Sequence, residues 1–187
     1  MNYKDNLSLD GNTSFVDVGY NKTSITTFVK DRIVSLDVLP IGGSHITKDI
    51  SKVLQINLDQ SENIKLNSEK GLNFLKDKSF SLELLHKIIV ARTEELLELS
   101  SKSIKSNLIN SDQYKMVLMG DGSRIVDNTY VNLISFAKDI DFLDETTQDV
   151  CNSGLKLGIN PNKQEVVVIP KKQTKQGFFE KIFLFFK

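Results

Sequence analysis

Hydrophobic and polar residues alternate in three short runs near the start of the chain. Alternation with a period of two is typical of β-strands, and these runs are rich in Val, Ile, Thr and Phe. The predicted strands cover residues 14–18, 24–29 and 33–39. On the third strand Val34, Leu36 and Val38 share one face, and Ser35 and Asp37 share the other. Only short polar turns separate the runs, so we predict a three-stranded antiparallel meander.

Helical spacing replaces this alternation after the pair Gly42 and Gly43. Ser44 is suited to cap a helix there, because apolar residues then recur at intervals of three and four. Further helices are predicted over residues 59–66 and 82–99, and a short buried strand at 116–119 is predicted to join the sheet beside the first strand. The remaining predictions are a helix around residues 131–137, an edge strand at 140–143 and a helix at 146–157.

Composition narrows the classes of protein to consider. The 187 residues include 24 basic and 24 acidic side chains, and this zero net charge argues against a nucleic-acid-binding surface. Cys151 is the one cysteine, so an internal disulfide is excluded. No apolar run approaches the ~20 residues that cross a bilayer, and the first residues lack the apolar core of a signal peptide. We therefore expect a chain on the cytoplasmic side of the membrane.

The last eleven residues form a separate amphipathic segment. On a helix over residues 177–187, the apolar face consists of Phe178, Phe179, Ile182, Phe183, Phe185 and Phe186. Eleven residues give about 16 Å of helix, which is too short to cross a ~30 Å hydrocarbon core. Lysines precede and end the segment, so we predict that it lies in the surface of an anionic membrane.

Two predicted strands end in glycine turns, and a third glycine turn opens a helix. The turns are at residues 17–19, 42–43 and 120–123. Glycine lets a backbone approach a ligand closely, and helix N-termini favour anions. The spacing therefore predicts a cleft for a phosphate and a nucleoside. His45 and His86 are far apart and lack a cysteine or carboxylate cluster, so no direct metal site is predicted.

In this order the motifs resemble FtsA, a family of bacterial actin-like ATPases that act in cell division. Pro40–Ile50 is similar to the family's Pro-x-Gly-Gly-x-His-Ile-Thr-x-Asp-Ile segment. Glu62 and Lys65 are similar to its Glu-x-x-Lys helix, residues 91–95 to its Ala-Arg-x-Glu-Glu helix, and residues 118–123 to its second glycine turn. A basic amphipathic helix also closes the family's sequences.

The resemblance implies an α/β fold, namely the C-terminal half of an actin-like (ribonuclease H-like) ATPase. It has a mixed sheet, an inserted helical subdomain and a C-terminal amphipathic helix. The implied divisions are a lead-in at 1–13, an inner subdomain at 14–54 and 111–159, an inserted outer helical subdomain at 55–110, a linker at 160–176 and the membrane helix at 177–187.

The resemblance also implies a site for ATP and magnesium, in which Asp17 holds Mg²⁺ through water. Gly19 and Thr23 would lie near the phosphates. The remaining implied site residues are Glu62 and Lys65 at the ribose or base, and Gly120, Gly122 and Ser123 behind the adenosine. Without the resemblance, Glu62 and Lys65 are interpreted as a solvated pair on one helix.

The implied function is to tether FtsZ filaments to the cytoplasmic face of the bacterial inner membrane at the septum. Nucleotide would govern self-association into filaments, and this half alone should not hydrolyse ATP. Two departures stand out: Tyr20-Asn21-Lys22 replaces the family's glycine turn, and the segment between Lys65 and Leu82 is short, which leaves docking of the FtsZ C-terminal tail open. The alternatives are a nucleotide-independent membrane-bound scaffold, or a fragment of another actin-fold ATPase such as a sugar kinase.

Overall fold

The computed structural model describes residues 11–30, 32–67, 81–108, 113–125 and 140–144, together with residues 148, 149, 151, 152 and 155. The chain divides into two units, Met1–Val150 and Cys151–Lys187, and the fold described below belongs to the first unit. The predicted helix around residues 131–137 and the amphipathic helix at 177–187 lie outside the described residues.

Five strands form one mixed sheet in the order β3-β2-β1-β4-β5. They are β1 (Asn12–Val18), β2 (Thr23–Val29), β3 (Arg32–Leu39), β4 (Lys115–Met119) and β5 (Ile140–Phe142). β1 and β3 each pair antiparallel with β2, whereas β4 is parallel to both β1 and β5. The predicted meander is thus confirmed, as are the position of β4 beside β1 and that of β5 at the sheet edge.

Three helices are described, and each begins at a residue that the local sequence explains. They are α1 (Gly43–Leu54), α2 (Leu58–Leu66) and α3 (Leu82–Asn107). Asn57 and Ser81 cap α2 and α3, accepting hydrogen bonds from the amides of Gln60 and Glu83. A 3₁₀ turn, Asp121–Ile125, follows β4. None of the helices in this part of the chain is long and apolar enough to cross a membrane.

Two predicted helix ends are wrong. The N-cap of α1 is Gly42 rather than Ser44, because backbone carbonyls of the β1–β2 turn accept from the first helical amides. α3 extends to Asn107, whereas the sequence predicted a polar exit after residue 99. The extension is favourable because it buries Ile104 in the sheet core. The buried Ser100 hydroxyl is satisfied within the helix, where it donates to the Leu96 carbonyl at 2.8 Å.

α3 connects two separate hydrophobic cores. The first, called the sheet core here, lies between the sheet and the C-terminal half of α3, and consists of Val16, Val18, Ile25, Ile41, Leu96, Leu97, Ile104, Met116 and Leu118. The second, called the helix core, joins α1, α2 and the N-terminal half of α3, and consists of Ile46, Ile50, Ile64, Leu85, Ile89 and Ile125. The candidate site lies where α1 and α2 meet the ends of β1 and β4.

Candidate functional site

The three glycine turns predicted from the sequence meet at the C-terminal ends of β1 and β4. A Cβ atom built on Gly43 would lie 3.8 Å from Lys65 Nζ, 3.9 Å from Gly122 Cα and 3.9 Å from the Gly19 carbonyl oxygen. These separations are ordinary van der Waals contacts. The fold therefore brings together three turns, at residues 17–19, 42–43 and 120–123, that are far apart in sequence, and we call this cluster the glycine junction.

The β1–β2 turn is fixed to the start of α1 by main-chain hydrogen bonds. The amides of Gly43 and Ser44 donate to the carbonyls of Gly19 and Tyr20, at 3.0 and 2.7 Å. A Cβ on Gly42 would lie 2.5 Å from the Gly19 carbonyl oxygen, so only glycine fits there. The helix amides that an anion would use are thus already paired within the protein.

His45 completes the start of α1, a role that the sequence analysis missed. The Gly42 amide donates to His45 Nδ1 at 3.1 Å, and the His45 amide donates to the Gly42 carbonyl at 3.0 Å. The imidazole thus takes the place of the glutamate of a capping box, while the backbone carbonyl of Gly42 accepts the bond that a Ser or Thr side chain would otherwise accept. Its spacing, three residues from N-cap to N3, was the signal that could have revealed it.

Side chains of the β1–β2 turn are exposed around these backbone contacts. Tyr20, Asn21 and Lys22 are all exposed. Asn21 Oδ1 accepts a 2.9 Å bond from Ser44 Oγ, and the Gly19 amide donates to the Lys22 carbonyl at 2.9 Å. The turn is therefore held in one conformation from both of its ends.

Asp17 lies at the end of β1, opposite Met119 of β4. Gly120 has a φ of +85°, and a Cβ on it would overlap Oδ1 of Asp17, so any side chain there would displace the carboxylate. Partial burial, and then the charge of Asp121, raise the pKa of Asp17 above its ordinary value. The carboxylate lies against the Gly120 backbone and is exposed to solvent.

Gly122 and Ser123 pack against the protein itself. A Cβ on Gly122 would lie 2.6 Å from the Val18 carbonyl oxygen, so the second glycine turn presses on the end of β1. Ser123 donates to the Gly120 carbonyl from both its amide, at 3.0 Å, and its hydroxyl, at 2.6 Å. These bonds form the 3₁₀ turn that places Gly120 beside Asp17.

Lys65 is the one predicted site residue whose charged group is almost entirely buried, with 2% of the residue exposed. Its Nζ donates to Glu62 Oε2 at 2.7 Å, Thr47 Oγ1 at 2.8 Å and the Gly43 carbonyl at 3.2 Å. The Tyr20 ring lies on its other side, with the centroid 5.8 Å from Nζ. The interpretation of Glu62 and Lys65 as a solvated pair is therefore wrong, because burial requires Lys65 to be paired.

Thr23 pairs with Val18 at the start of β2, next to the turn, but its side chain is engaged within the protein. Its side chain is fully buried, and its hydroxyl donates to the Ile41 carbonyl at 2.7 Å. The bond ties the start of β2 to the segment before α1, which positions the turn indirectly. The described structure thus brings Asp17, Gly19, Gly120 and Gly122 together, while their contact with a nucleotide stays a prediction.

Comparison with known proteins was made in sequence and in structure. The sequence model of the family described as Cell division protein FtsA matches residues 14–84. FtsA of Bacillus subtilis (strain 168) is 31% identical over 57% of this chain and 28% of its own length. FtsA of Buchnera aphidicola is 26% identical over 90% of this chain and 48% of its own length. The chain thus spans less than half the length of these relatives.

Two solved structures have the same fold at low sequence identity. A non-polymerisable quadruple mutant of pCBH ParM superposes with a TM-score of 0.56 and 16% identity, covering 81% of this chain and 47% of that one. MreB5 of Spiroplasma citri bound to AMPPNP superposes with a TM-score of 0.54 and 12% identity, covering 82% and 56%. Both are actin-like proteins. This chain therefore has an actin-like α/β fold, and its sequence resembles part of the bacterial cell division protein FtsA.

Proposed function

We propose that the chain is part of an FtsA-like division protein that tethers FtsZ filaments to the cytoplasmic face of the inner membrane at the septum. The observation that carries the proposal is the glycine junction, in which turns matching the order of the FtsA motifs converge beside Asp17. The sequence match over residues 14–84 and the actin-like fold support the same role. A sugar-kinase fragment is disfavoured because an amphipathic Phe-rich tail has no use in such an enzyme.

Within this role we propose that the glycine junction is half of an adenine-nucleotide site. The residues of the glycine junction fit an adenine nucleotide and its Mg²⁺ in part. A solvent-exposed carboxylate at Asp17 suits hydrated Mg²⁺, and the Gly120–Gly122 turn lies beside it at the end of β4. Phosphate contacts would come from the exposed turn at Tyr20–Lys22, where the Lys22 ammonium supplies positive charge. One turn supplies few donors, so binding is weak.

A nucleotide-independent scaffold is the second candidate, and one observation favours it. The first amides of α1 bond to turn carbonyls, and the Lys65 ammonium bonds to three protein acceptors. These groups would otherwise contact a nucleotide. The junction would then serve as a rigid structural joint.

Titration calorimetry with Mg-ATP separates the two candidates. The half-site predicts binding weaker than micromolar that Asp17→Asn abolishes. Asp59→Asn, which changes an exposed carboxylate on α2, is the matched control and should bind as the parent does. Micromolar affinity in the 187-residue chain contradicts the half-site, because half of the donors could not provide it. Absence of heat in all three proteins supports the scaffold.

Co-sedimentation tests the tether itself. FtsZ filaments should pellet with anionic liposomes only when the chain is added, and less so at high salt. A chain ending at Gln176 lacks the predicted membrane helix and should leave FtsZ in the supernatant. FtsZ without its C-terminal tail tests whether that tail is the docking segment. If the shortened chain recruits FtsZ as well as the full chain, the tail helix is not the anchor.

A further inference from the structure

The two edges of the sheet differ in length and in chemistry. β5 has three residues and carries an ion pair between Lys115 and Asp141 at 2.6 Å. β3 has eight residues, and its outer edge has no strand partner within the described part of the chain. Its exposed apolar side chains are Ile33 (44% exposed), Val34 (47%), Leu36 (64%) and Val38 (54%). A long apolar edge of this kind favours pairing with another strand.

A β-bulge in β3 determines which of its side chains share a face. Ile33 lies opposite Phe28 and Leu36 opposite Thr26, and the register shifts between these two pairs. Phe28 and Thr26 are two residues apart on a regular strand, so they face the same way. Ile33 and Leu36 therefore share the apolar outer face although they are three residues apart.

The same bulge places Arg32 and Asp37 together on the opposite face. Arg32 lies opposite Val29 and Asp37 opposite Ile25, and these two β2 residues are four apart. Arg32 is exposed and Asp37 is half-buried, accepting a 2.5 Å bond from Asn107 Nδ2. A carboxylate accepts several hydrogen bonds, so an arginine of another molecule can bond to Asp37 in addition to its partners within the chain.

We propose that β3 pairs antiparallel with β3 of a second copy of this chain, about a two-fold axis between Val34 and Ser35. In this register Arg32 lies opposite Asp37 of the second copy, and Ile33 lies opposite its Leu36. Opposing residues then share a face at both positions, which only the bulge permits. The pairing gives one ten-stranded sheet across two copies and rests on no nucleotide, lipid or FtsZ contact.

Symmetry doubles every contact in this interface. Two Arg32–Asp37 pairs and two Ile33–Leu36 pairs form at once, because a two-fold interface uses the same surface on both copies. Cross-strand pairs of opposite charge and of large apolar side chains stabilise an antiparallel ladder, and like charges directly opposite destabilise it. The interface is closed, so it yields a dimer and not a filament.

A charge exchange tests the register. The full 187-residue chain is studied by sedimentation velocity over a range of concentrations, without nucleotide or lipid. The parent should dimerise reversibly. Arg32→Asp and Asp37→Arg should each weaken dimerisation at least about tenfold, since each opposes two pairs of like charges. The double variant should restore the parental dimer. Asn107→Ala controls for the internal bond that Asp37→Arg removes.

A second pair of variants tests the apolar face. Leu36→Lys should abolish the dimer, whereas Val53→Lys, which adds the same charge at a half-exposed position on α1, should not. Circular dichroism confirms that each variant is folded. A parent that remains monomeric overturns the proposal and assigns the edge to a different partner. A dimer that survives both single charge variants, or that the double variant fails to restore, overturns it as well. None of these results bears on the proposal that the chain tethers FtsZ to the membrane.

Discussion

The sheet core and the helix core share α3, but they bury different kinds of groups. The sheet core is apolar at its centre, and two buried hydroxyls beside it, those of Ser14 and Thr27, pair within the sheet at 3.1 Å. The helix core is bordered by Lys65, whose ammonium bonds to α1 and α2. Apolar packing has no direction, whereas three hydrogen bonds to one ammonium fix a geometry. The sheet core thus supplies stability, and the border of the helix core sets the register of α2 on α1.

The largest expected effect is in the sheet core. Leu97→Ala removes a fully buried side chain from α3 and leaves a cavity against the sheet. We expect a loss of about 3 kcal/mol in the free energy of unfolding. Urea unfolding followed by circular dichroism measures it, and Leu84→Ala, at an exposed position of the same helix, is the control. Equal losses in the two variants would contradict the assignment of Leu97 to a core.

The second-largest loss in the free energy of unfolding is expected at the border of the helix core, where Lys65 lies. Lys65→Met keeps the apolar stem but removes the ammonium, so the Thr47 hydroxyl, Glu62 and the Gly43 carbonyl each lose one hydrogen bond, although the Thr47 hydroxyl still donates to the other two. The expected loss is about 2 kcal/mol, less than for a fully buried ion pair because Glu62 retains contact with water. Lys48→Met changes an exposed lysine of α1 and should be neutral. A Lys65→Met chain as stable as Lys48→Met would show that the ammonium adds no net stability.

A smaller effect is expected where α1 meets α3. Arg92 bonds to Asp49 of α1 at 2.6 Å, and this bond is the main cause that raises the pKa of Arg92. Because both side chains are a quarter exposed, Arg92→Gln should cost only about 0.5–1 kcal/mol. Lys87→Gln removes a more exposed pair within α3 and should have no measurable effect. If Lys87→Gln lowered the free energy of unfolding more than Arg92→Gln does, the more exposed ion pair would be the stronger one, which would contradict the prediction.

The difference between the two cores also explains what the sequence could predict. The alternation of apolar and polar residues predicted β1, β2 and β3, and the short turns between them predicted their antiparallel pairing. Both predictions were possible because these signals lie within a few neighbouring residues. The buried state of Lys65 could not be predicted, since a glutamate three residues before a lysine looks the same on a solvated helix. Its burial depends on Gly43 and Thr47, which another part of the chain supplies.

The glycines of the glycine junction show a second limit of prediction from the sequence. Their spacing predicted close approach of a backbone, and the structure has it, but at Gly42 and Gly122 the approaching group is another turn of the protein. Glycine permits close approach without specifying the partner. The sequence pattern therefore predicted close backbone approach at the strand ends, while the identity of the approaching group required the three-dimensional arrangement; that the turns form a ligand site stays a prediction.

The smallest expected effect concerns the charge of Asp17. In the folded chain the pKa of Asp17 is raised, first by burial and then by the charge of Asp121. At pH values between the pKa of Asp17 in the unfolded chain and its pKa in the folded chain, the folded state therefore binds more protons than the unfolded state. Stability therefore falls as pH rises through the folded pKa. Asp17→Asn removes this titration, so the variant should be more stable than the parent at neutral pH, and the difference should narrow as pH falls toward 3.8, the ordinary pKa of an aspartate side chain. Thermal unfolding of both proteins across this range measures it, with Asp59→Asn as control. A difference that is constant with pH would show that burial does not oppose the charge of Asp17.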